Sequence, residues 1–181
     1  PILSFGQEIG VTALQMAGAY TAVANGGLLL EPRLCLEAQW PGGGRQRWPL
    51  PGVVRRVIRP ETASALTRVL EGVVTLGTGQ EAAVPGWTVA GKTGTAQKID
   101  PATRAYSRDK NVASFCGFVP ANRPRLTIVV ILDEPAGVTW GGYTAGPVFR
   151  NIAAQAMMRL AVPTDQPPRL VGAPDKGRGH T

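Results

Sequence analysis

Lys92, Thr93, Gly94 and Thr95 place one cation, two hydroxyl groups and a residue without a side chain in a row near the middle of the chain. Side chains alternate along a strand, so Lys92 and Gly94 would face one way, and Thr93 and Thr95 the other. Gly94 would leave the strand surface open to the backbone of a ligand. The tetrad therefore indicates a strand that receives an anionic, peptide-like substrate.

The residues before and after the tetrad predict the strand that carries it. Trp87 to Ala90 is rich in bulky and β-branched residues, and Pro85-Gly86 marks a turn just before it. We therefore predict a strand over Trp87 to Lys98. The polar stretch from Ile99 to Lys110 contains Asp100-Pro101 and is predicted to form the loop of a hairpin.

Two more strands and a helix are predicted after this loop. Val112 to Val119 forms the second strand, and the nearly unbroken β-branched run Leu126 to Leu132 is typical of a strand covered on both faces. The three strands should pair antiparallel in sequence order. Trp140 to Tyr143 is predicted to be a loop, and a last helix, beginning at about Pro147, should pack on the sheet.

Two helices are predicted before the strands. Thr12 and Gln15 have the spacing of a capping box, and Asn25-Gly26-Gly27 supplies a left-handed helix end. Pro60 fits the first turn of the second helix, which Gly77-Thr78-Gly79 ends. Because strands and helices do not alternate, the sequence predicts an α+β fold, with a three-strand antiparallel meander flanked by helices.

The composition limits the kinds of partner. The chain has 181 residues, 44% of them hydrophobic, which is enough for one domain with a core. Its net charge is +7, but the cations are scattered and no RNA-binding or helix-turn-helix motif is present, which argues against nucleic acid. No apolar run is long enough to span a bilayer. Residues 163–181 are rich in Pro, Gly and charge and are predicted to be a disordered tail after a domain over residues 1–162.

The cysteines and the histidine predict neither a metal site nor a cofactor. Cys35 and Cys116 are most simply small buried hydrophobes, although a bridge between them stays open. The single histidine, His180, lies in the predicted tail, so no His-based triad is available. The chain begins abruptly at Pro1 without an initiator Met or signal peptide, and we expect it to be an internal piece of a longer protein.

The tetrad contains the K-T-G element of the penicillin-recognising serine acyltransferases, and its surroundings extend the likeness. From Gly6 to Leu160 the chain resembles the C-terminal part of a class B penicillin-binding protein transpeptidase domain. The helix opening Val11-Thr12 and the exit Ala24 to Gly27 are more similar to the division branch or its sporulation relatives, while a septal or an elongation role stays open. The resembling segments are residues 10–15, 19–20, 24–27, 32, 70–74, 77–79, 91–97, 115–120, 141–142 and 147–149.

The resemblance implies an enzyme that cross-links peptidoglycan. A serine attacks the D-Ala-D-Ala end of a stem peptide, and the acyl group then passes to an amine of a second stem. Lys92 would lie near the substrate carboxylate and help proton transfer at the serine. Thr93 and Thr95 would offer hydroxyls to that carboxylate, and the Thr95 N–H would be one of two oxyanion-hole donors. Gly94 would keep the strand face clear, and Gln97 would line the same site.

The resemblance also implies partners and a location. Stem peptides and β-lactam antibiotics would bind the site, and divisome or elongasome membrane proteins would contact regions missing from this chain. The intact protein would act at the extracytoplasmic face of the cell membrane, held there by an N-terminal anchor that is likewise missing here. No cofactor is implied.

The chain departs from the family at the nucleophile. No S-x-N motif is present, and the one S-x-x-K match, Ser107 to Lys110, lies in the predicted hairpin loop. The family needs that pair one turn apart at the start of a buried helix, so we interpret the match as chance. The chain thus carries one wall of an active site, and we predict that it is inactive without the part that holds the serine.

Two other interpretations accompany the acyltransferase. The chain could be a binding or structural module that kept the fold and lost the chemistry. Gly86 to Thr93 also satisfies the phosphate-binding P-loop pattern G-x-x-x-x-G-K-T. A P-loop needs a strand before its first glycine and a helix after its lysine, whereas the pattern here predicts a strand on both sides of Lys92.

Overall fold

The computed structural model describes residues 9–166. One helix precedes a small irregular region with short strand pairs, and the larger elements follow it. In chain order the elements are α1 (Ala13–Ala24), β1 (Leu28–Leu30), β2 (Glu37–Gln39), β3 (Arg45–Arg47), β4 (Val53–Arg56), α2 (Pro60–Thr75), β5 (Ala90–Ile99), β6 (Tyr106–Val119), β7 (Leu126–Asp133) and α3 (Gly141–Arg159).

A three-stranded sheet of order β5-β6-β7 carries the tetrad. Both pairings are antiparallel, with Lys92 opposite Cys116 and Phe115 opposite Val130. The predicted meander is therefore confirmed, although its first strand begins at Ala90 and the predicted start at Trp87 was wrong. In the described part of the chain, β7 pairs with β6 alone.

Helices cover both faces of this sheet. On one face, α3 packs against the middle strand, and the rings of Phe115 and Phe149 lie 4.7 Å apart between centroids. On the other face, Phe118 and Ala90 are fully buried against Tyr20 of α1 and Leu70 of α2. β5 therefore runs between two packed layers, which hold its backbone in place.

The helix starts follow the local sequence signals. Thr12 caps α1, and its hydroxyl accepts from the N–H of Gln15 while the Gln15 side chain accepts from the Thr12 N–H. Pro60 occupies the first turn of α2. Gly27, after α1, has φ +93 and lies so close to the Ile58 carbonyl that a side chain would not fit. These predictions from the sequence are confirmed.

β6 begins earlier than the sequence predicts. It starts at Tyr106, so the loop spans residues 100–105, and the prediction of a loop extending to Lys110 was wrong. Ile99 pairs with Tyr106, and the Gln97 amide donates to the Ser107 carbonyl over 3.1 Å. This arm of the hairpin is largely exposed, so it forms through backbone pairing and needs no apolar alternation.

α3 also begins earlier than predicted, at Gly141, and Pro147 lies inside the helix. A pair of glycines is a poor helix start by propensity, but tertiary packing overrides it here. A Cβ on Gly141 would lie 2.5 Å from the Ser114 carbonyl oxygen, so only glycine lets the helix come this close to the sheet. The prediction of a loop over Trp140 to Tyr143 was therefore wrong.

The cover of β7 is also less complete than predicted. The strand contacts both α1 and α3, but Val130 is its one fully buried residue, and Ile131 is 47% exposed. The β-branched run therefore reflects strand propensity as much as burial.

The cysteines differ from one another. Cys116 is buried in β6, but Cys35 is exposed, so the prediction of a buried Cys35 was wrong. Both are free thiols.

The contacts of the domain continue past the predicted boundary at residue 162. The indole N–H of Trp87 donates to the carbonyls of Val162 and Pro163, and Asp165 accepts from the N–H of Thr88 over 2.7 Å. The rest of the predicted tail, residues 167–181, lies outside the described residues. Within residues 9–166, no helix is long and apolar enough to cross a membrane.

Candidate active site

The tetrad lies on an edge strand, and one backbone hydrogen bond shows which of its N–H and C=O groups face the open edge. β5 pairs with β6 on one side, and no strand of residues 9–166 occupies its other side. The Glu134 N–H donates to the Asn111 carbonyl over 3.0 Å, so the odd-numbered residues of β6 direct their backbone groups to β7, and the even-numbered ones, including the partner of Lys92, direct theirs to β5. The Thr93 carbonyl, which accepts from Lys92 Nζ over 2.9 Å, therefore faces the open edge. Residues two apart direct their backbone groups to the same edge. The N–H and C=O of Thr95 therefore face the open edge as well.

The side chains alternate as predicted. Thr93 and Thr95 lie on the α3 face, where they contact Thr78 and Gly141. Gly94 lies on the opposite face, and a Cβ there would meet the Ser114 hydroxyl at 2.5 Å. The space beside Gly94 is thus shared with a side chain of β6 that can rotate away.

Three polar groups meet at Thr93. Its hydroxyl oxygen lies 3.2 Å from Lys92 Nζ and 2.9 Å from the hydroxyl oxygen of Thr78. Lys92 is exposed and Thr93 is half-buried. The structure thus brings a cation and two hydroxyls to the open edge of β5, a combination suited to a carboxylate.

Thr95 has a second structural contact. Its hydroxyl oxygen accepts from the Gly141 N–H over 3.0 Å, which satisfies a donor at the start of α3. The side chain remains exposed, and its own O–H is still able to donate.

Gln97 lies farther along the same strand face. Its amide donates to the Ser107 carbonyl on β6, so the side chain bridges the two arms of the hairpin. Gln97 forms no hydrogen bond with the cluster around Thr93 or with α3.

The two lysines of β5 have different electrostatic surroundings. Lys98 Nζ lies 2.7 Å from Glu134 and 3.0 Å from Asp133, and hydrogen bonds to Glu134 and then Asp133 raise the pKa of Lys98. The same bond from Lys98 lowers the pKa of Glu134. Among residues 9–166, no carboxylate forms an ion pair with Lys92. Its charge is therefore available to an anionic ligand.

The described serines have no activating base. Ser64 accepts from Arg68 on α2, and the Ser107 hydroxyl accepts from the backbone N–H groups of Asp109 and Lys110. Ser107 and Lys110 both lie on β6, so the S-x-x-K match is not on a helix. The P-loop interpretation fails in the same way, because β5 continues through Lys92 to Ile99 where a helix would have to begin.

No metal centre accompanies the site in the part of the chain that the structure describes. There, no three His, Cys, Asp or Glu side chains come together to hold an ion.

Thr78 and the glycine pair Gly141-Gly142 belong to the site, but sequence reasoning did not assign them to it. Thr78 was part of a helix-ending Gly-Thr-Gly, and the glycines were part of a predicted loop. A Cβ on Gly142 would strike the Thr78 carbonyl oxygen and lie 3.4 Å from the Thr93 methyl group. The one signal was the presence of both segments among those that carry the family resemblance.

Comparisons with known proteins identify the family of this chain. The model of the penicillin-binding protein transpeptidase domain matches residues 1–154. The chain is 39% identical over 175 residues to penicillin-binding protein PbpB of Mycobacterium tuberculosis, and the aligned region covers 92% of this chain and 26% of PbpB. It is 37% identical over 161 residues to stage V sporulation protein D of Bacillus subtilis, and the aligned region covers 88% of this chain and 25% of that protein.

Solved structures show the same fold. Penicillin-binding protein 3 from Mycobacterium tuberculosis, in complex with ampicillin, superposes with a TM-score of 0.80 at 38% identity, over 94% of this chain and 40% of that chain. The transpeptidase domain of penicillin-binding protein 3 from Burkholderia pseudomallei superposes with a TM-score of 0.74 at 37% identity, over 91% of this chain and 47% of that chain.

The sheet, its flanking helices and the K-T-G strand define the α+β fold of the penicillin-recognising proteins. The chain belongs to the penicillin-binding protein transpeptidase domain family, and the class B assignment made from the sequence is confirmed. It spans 26% of the length of PbpB and 25% of that of stage V sporulation protein D.

Proposed function

We propose that this chain supplies the substrate-binding strand of a peptidoglycan D,D-transpeptidase. The observation that carries the proposal is the open edge of β5, where Lys92 Nζ lies 3.2 Å from the Thr93 hydroxyl and no carboxylate of the described residues neutralises it. Exposed backbone groups beside an unpaired cation suit an extended peptide that ends in a carboxylate. The relative PenA of Neisseria gonorrhoeae, 35% identical over 167 residues, is named a probable peptidoglycan D,D-transpeptidase.

The substrate would add to the sheet as a further strand. The D-Ala-D-Ala end of a stem peptide pairs with the open edge of β5, and its carboxylate accepts hydrogen bonds from Lys92 and from the hydroxyls of Thr93 and Thr95. The Thr95 N–H faces this edge and donates to the carbonyl oxygen on which negative charge develops. Gln97 extends the strand beyond the reacting bond.

The covalent steps use a serine that this chain lacks. The serine oxygen forms an ester with the penultimate D-Ala carbonyl carbon, the C–N bond breaks, and the terminal D-Ala leaves as an amine that takes up a proton. An amine of a second stem peptide then attacks the ester and releases the serine. Lys92 stabilises the charge and supports proton transfer at the serine.

The location and partners follow from the same proposal. Peptidoglycan lies outside the cytoplasmic membrane, so the intact protein acts on that side, anchored by a segment outside the described residues. β-Lactams present a carboxylate and a reactive carbonyl and would acylate the same serine. The likeness to stage V sporulation protein D favours a role in division or a related septum, in contact with membrane proteins of that machinery.

The test is covalent labelling of the full-length protein with a fluorescent penicillin. We expect one labelled band, lost when unlabelled ampicillin is added first. A full-length protein that binds stem peptide without being labelled would instead favour the non-catalytic module.

A further inference from the structure

Thr78 contacts the K-T-G strand through one hydrogen bond whose direction matters for ligand binding. Its hydroxyl oxygen lies 2.9 Å from that of Thr93, and either oxygen could be the donor. We propose that Thr78 is a positioning residue that directs the hydroxyl proton of Thr93 toward the substrate carboxylate. The inference rests on the proposed function of β5 and adds a residue to it.

The place of Thr78 is determined by close backbone packing. The Gly79 N–H donates to the Val73 carbonyl over 2.9 Å, which ties the turn to the end of α2. A Cβ on Gly77 would lie 3.0 Å from that carbonyl, and one on Gly142 would strike the carbonyl of Thr78 itself. The turn is therefore held between α2 and α3, which presents the Thr78 hydroxyl to β5 without help from the ligand.

The donors and acceptors around Thr93 can be counted. A hydroxyl has one proton to donate and two acceptor positions. The Lys92 ammonium, 3.2 Å away, can only donate, so it uses one acceptor position of the Thr93 oxygen. If Thr78 donates as well, both acceptor positions are used and the Thr93 proton must go to another partner. A carboxylate, which only accepts, is the partner that this arrangement selects.

The opposite direction of the hydrogen bond between Thr78 and Thr93 would leave no Thr93 donor for the carboxylate. Thr93 would give its proton to Thr78, and its oxygen would meet the carboxylate with lone pairs alone. A bound carboxylate therefore favours the arrangement in which Thr78 donates, and removing the Thr78 hydroxyl removes that bias. Removing the Thr78 hydroxyl should weaken binding only of ligands that carry the carboxylate, and only in proteins that retain Thr93.

The experiment measures the second-order acylation rate of the full-length protein by a penicillin and by its carboxylate methyl ester. We expect Thr78→Val to slow acylation by the penicillin about threefold to tenfold, the range for one net hydrogen bond, and to leave the ester rate unchanged. Thr78→Ser, which keeps the hydroxyl, should restore the rate. Thr75→Val is the matched control, because the Thr75 hydroxyl donates to the Glu71 carbonyl on α2 and forms no hydrogen bond with a residue of the site.

A double-mutant cycle separates positioning from general support of the fold. On a Thr93→Val background, Thr78→Val should have no further effect. Thr78→Ala repeats the comparison if the valine variant lowers the melting temperature.

Equal losses with and without Thr93, equal losses for the penicillin and its ester, or a wild-type rate in both Thr78→Val and Thr78→Ala would each overturn the inference while the proposed function stands. A wild-type full-length protein that no penicillin acylates, or a Thr93→Val variant that reacts at the wild-type rate, would overturn the proposed function of the strand, and the inference with it.

Discussion

The hydroxyl oxygen of Thr95 accepts a hydrogen bond from the backbone N–H of Gly141 over 3.0 Å. The last hydroxyl of the tetrad therefore holds the first residue of α3. The first N–H groups of a helix have no partner within the helix, and Thr95 supplies one from the sheet. Through this side chain, the strand proposed to bind substrate and the helix that covers the core are linked.

Replacing Thr95 should affect both stability and recognition. In the full-length protein, Thr95→Val leaves the Gly141 N–H without its partner, and we expect a loss of about 1 kcal/mol in the free energy of unfolding. Acylation by penicillin should also weaken, because one hydroxyl donor to the carboxylate is lost while the Thr95 N–H remains. Chemical denaturation and acylation kinetics measure the two effects, with Thr95→Ser as the variant that should preserve both. Unchanged stability in the valine variant would contradict the capping role.

Replacing Lys92 should affect chemistry far more than folding. Lys92 is exposed, and among residues 9–166 no carboxylate pairs with it, so Lys92→Ala should change the free energy of unfolding little. Acylation should slow by an amount equivalent to about 2–4 kcal/mol of barrier, the cost of removing one preorganised charge. Lys98→Ala, which removes the surface pairs with Asp133 and Glu134, is the control on the same strand and should acylate normally. Near wild-type rates in Lys92→Ala would contradict the assignment.

Two glycine substitutions should have opposite signs. A Cβ on Gly142 would meet the Thr78 carbonyl and the Thr93 methyl group, so Gly142→Ala should cost about 1–3 kcal/mol of stability as well as disturb the site. A Cβ on Gly72, in α2, would meet no atom within 4 Å, so Gly72→Ala should raise stability by about 0.5–1 kcal/mol. Thermal denaturation of the full-length protein compares them. A destabilised Gly72→Ala together with a neutral Gly142→Ala would refute the packing described for α3.

The two thiols should differ in reactivity and in their effect at high pH. Burial raises the pKa of Cys116 from 9.0 to about 12, whereas Cys35 is exposed. At pH 8, a thiol reagent should modify Cys35 in the folded protein and reach Cys116 only after unfolding.

The pKa shift of Cys116 also predicts the direction of a pH effect. Above pH 9, the unfolded thiol loses its proton while the folded one keeps it, so the unfolded state binds fewer protons and stability falls as pH rises toward 12. Tyr20 acts in the same direction, since burial, and then the nearby Cys116, raise its pKa from 10.0 to about 12. Cys116→Ser should reduce the alkaline loss of stability, which denaturation between pH 8 and 11 would measure. A steeper alkaline loss in the serine variant would contradict this explanation.

The 181-residue chain alone should not react with penicillin. Its described serines are hydrogen-bonded to Arg68 or to backbone N–H groups, or lie in the middle of β6, and none of their hydroxyls forms a hydrogen bond with a lysine amine. Intact-mass spectrometry after incubation with a penicillin should show the unmodified mass, with the full-length protein as the positive control. A stable adduct mapped to any serine of the chain would contradict the prediction.

The unpaired edge of β7 should lower the solubility of the isolated chain. β7 has no strand partner on its outer side within the described residues, and the exposed Ile131 lies on it. An uncovered edge strand favours aggregation. We expect the isolated chain to aggregate and the rest of the protein to rescue it, which sedimentation of the two forms would show.

The sequence alone determined the features that depend on neighbouring residues. The capping box at Thr12, the proline start of α2 and the order of the three strands follow from local spacing and strand propensity. The alternation of Lys92 and Thr93 follows from the strand period of two. The family could be recognised because different short motifs that resemble it are spread along most of the chain.

Only the tertiary structure decided which residues meet around the tetrad. Thr78 lies 15 positions before Thr93, and Gly141 lies 46 positions after Thr95, so no local pattern predicts their hydrogen bonds. Helix propensity predicts the start of α3 at Pro147, but two glycines extend it to Gly141, because they allow the backbone to approach the sheet closely. The site is therefore completed by packing between distant segments, whose energy depends on the folded arrangement and not on the residues next to each other in the chain.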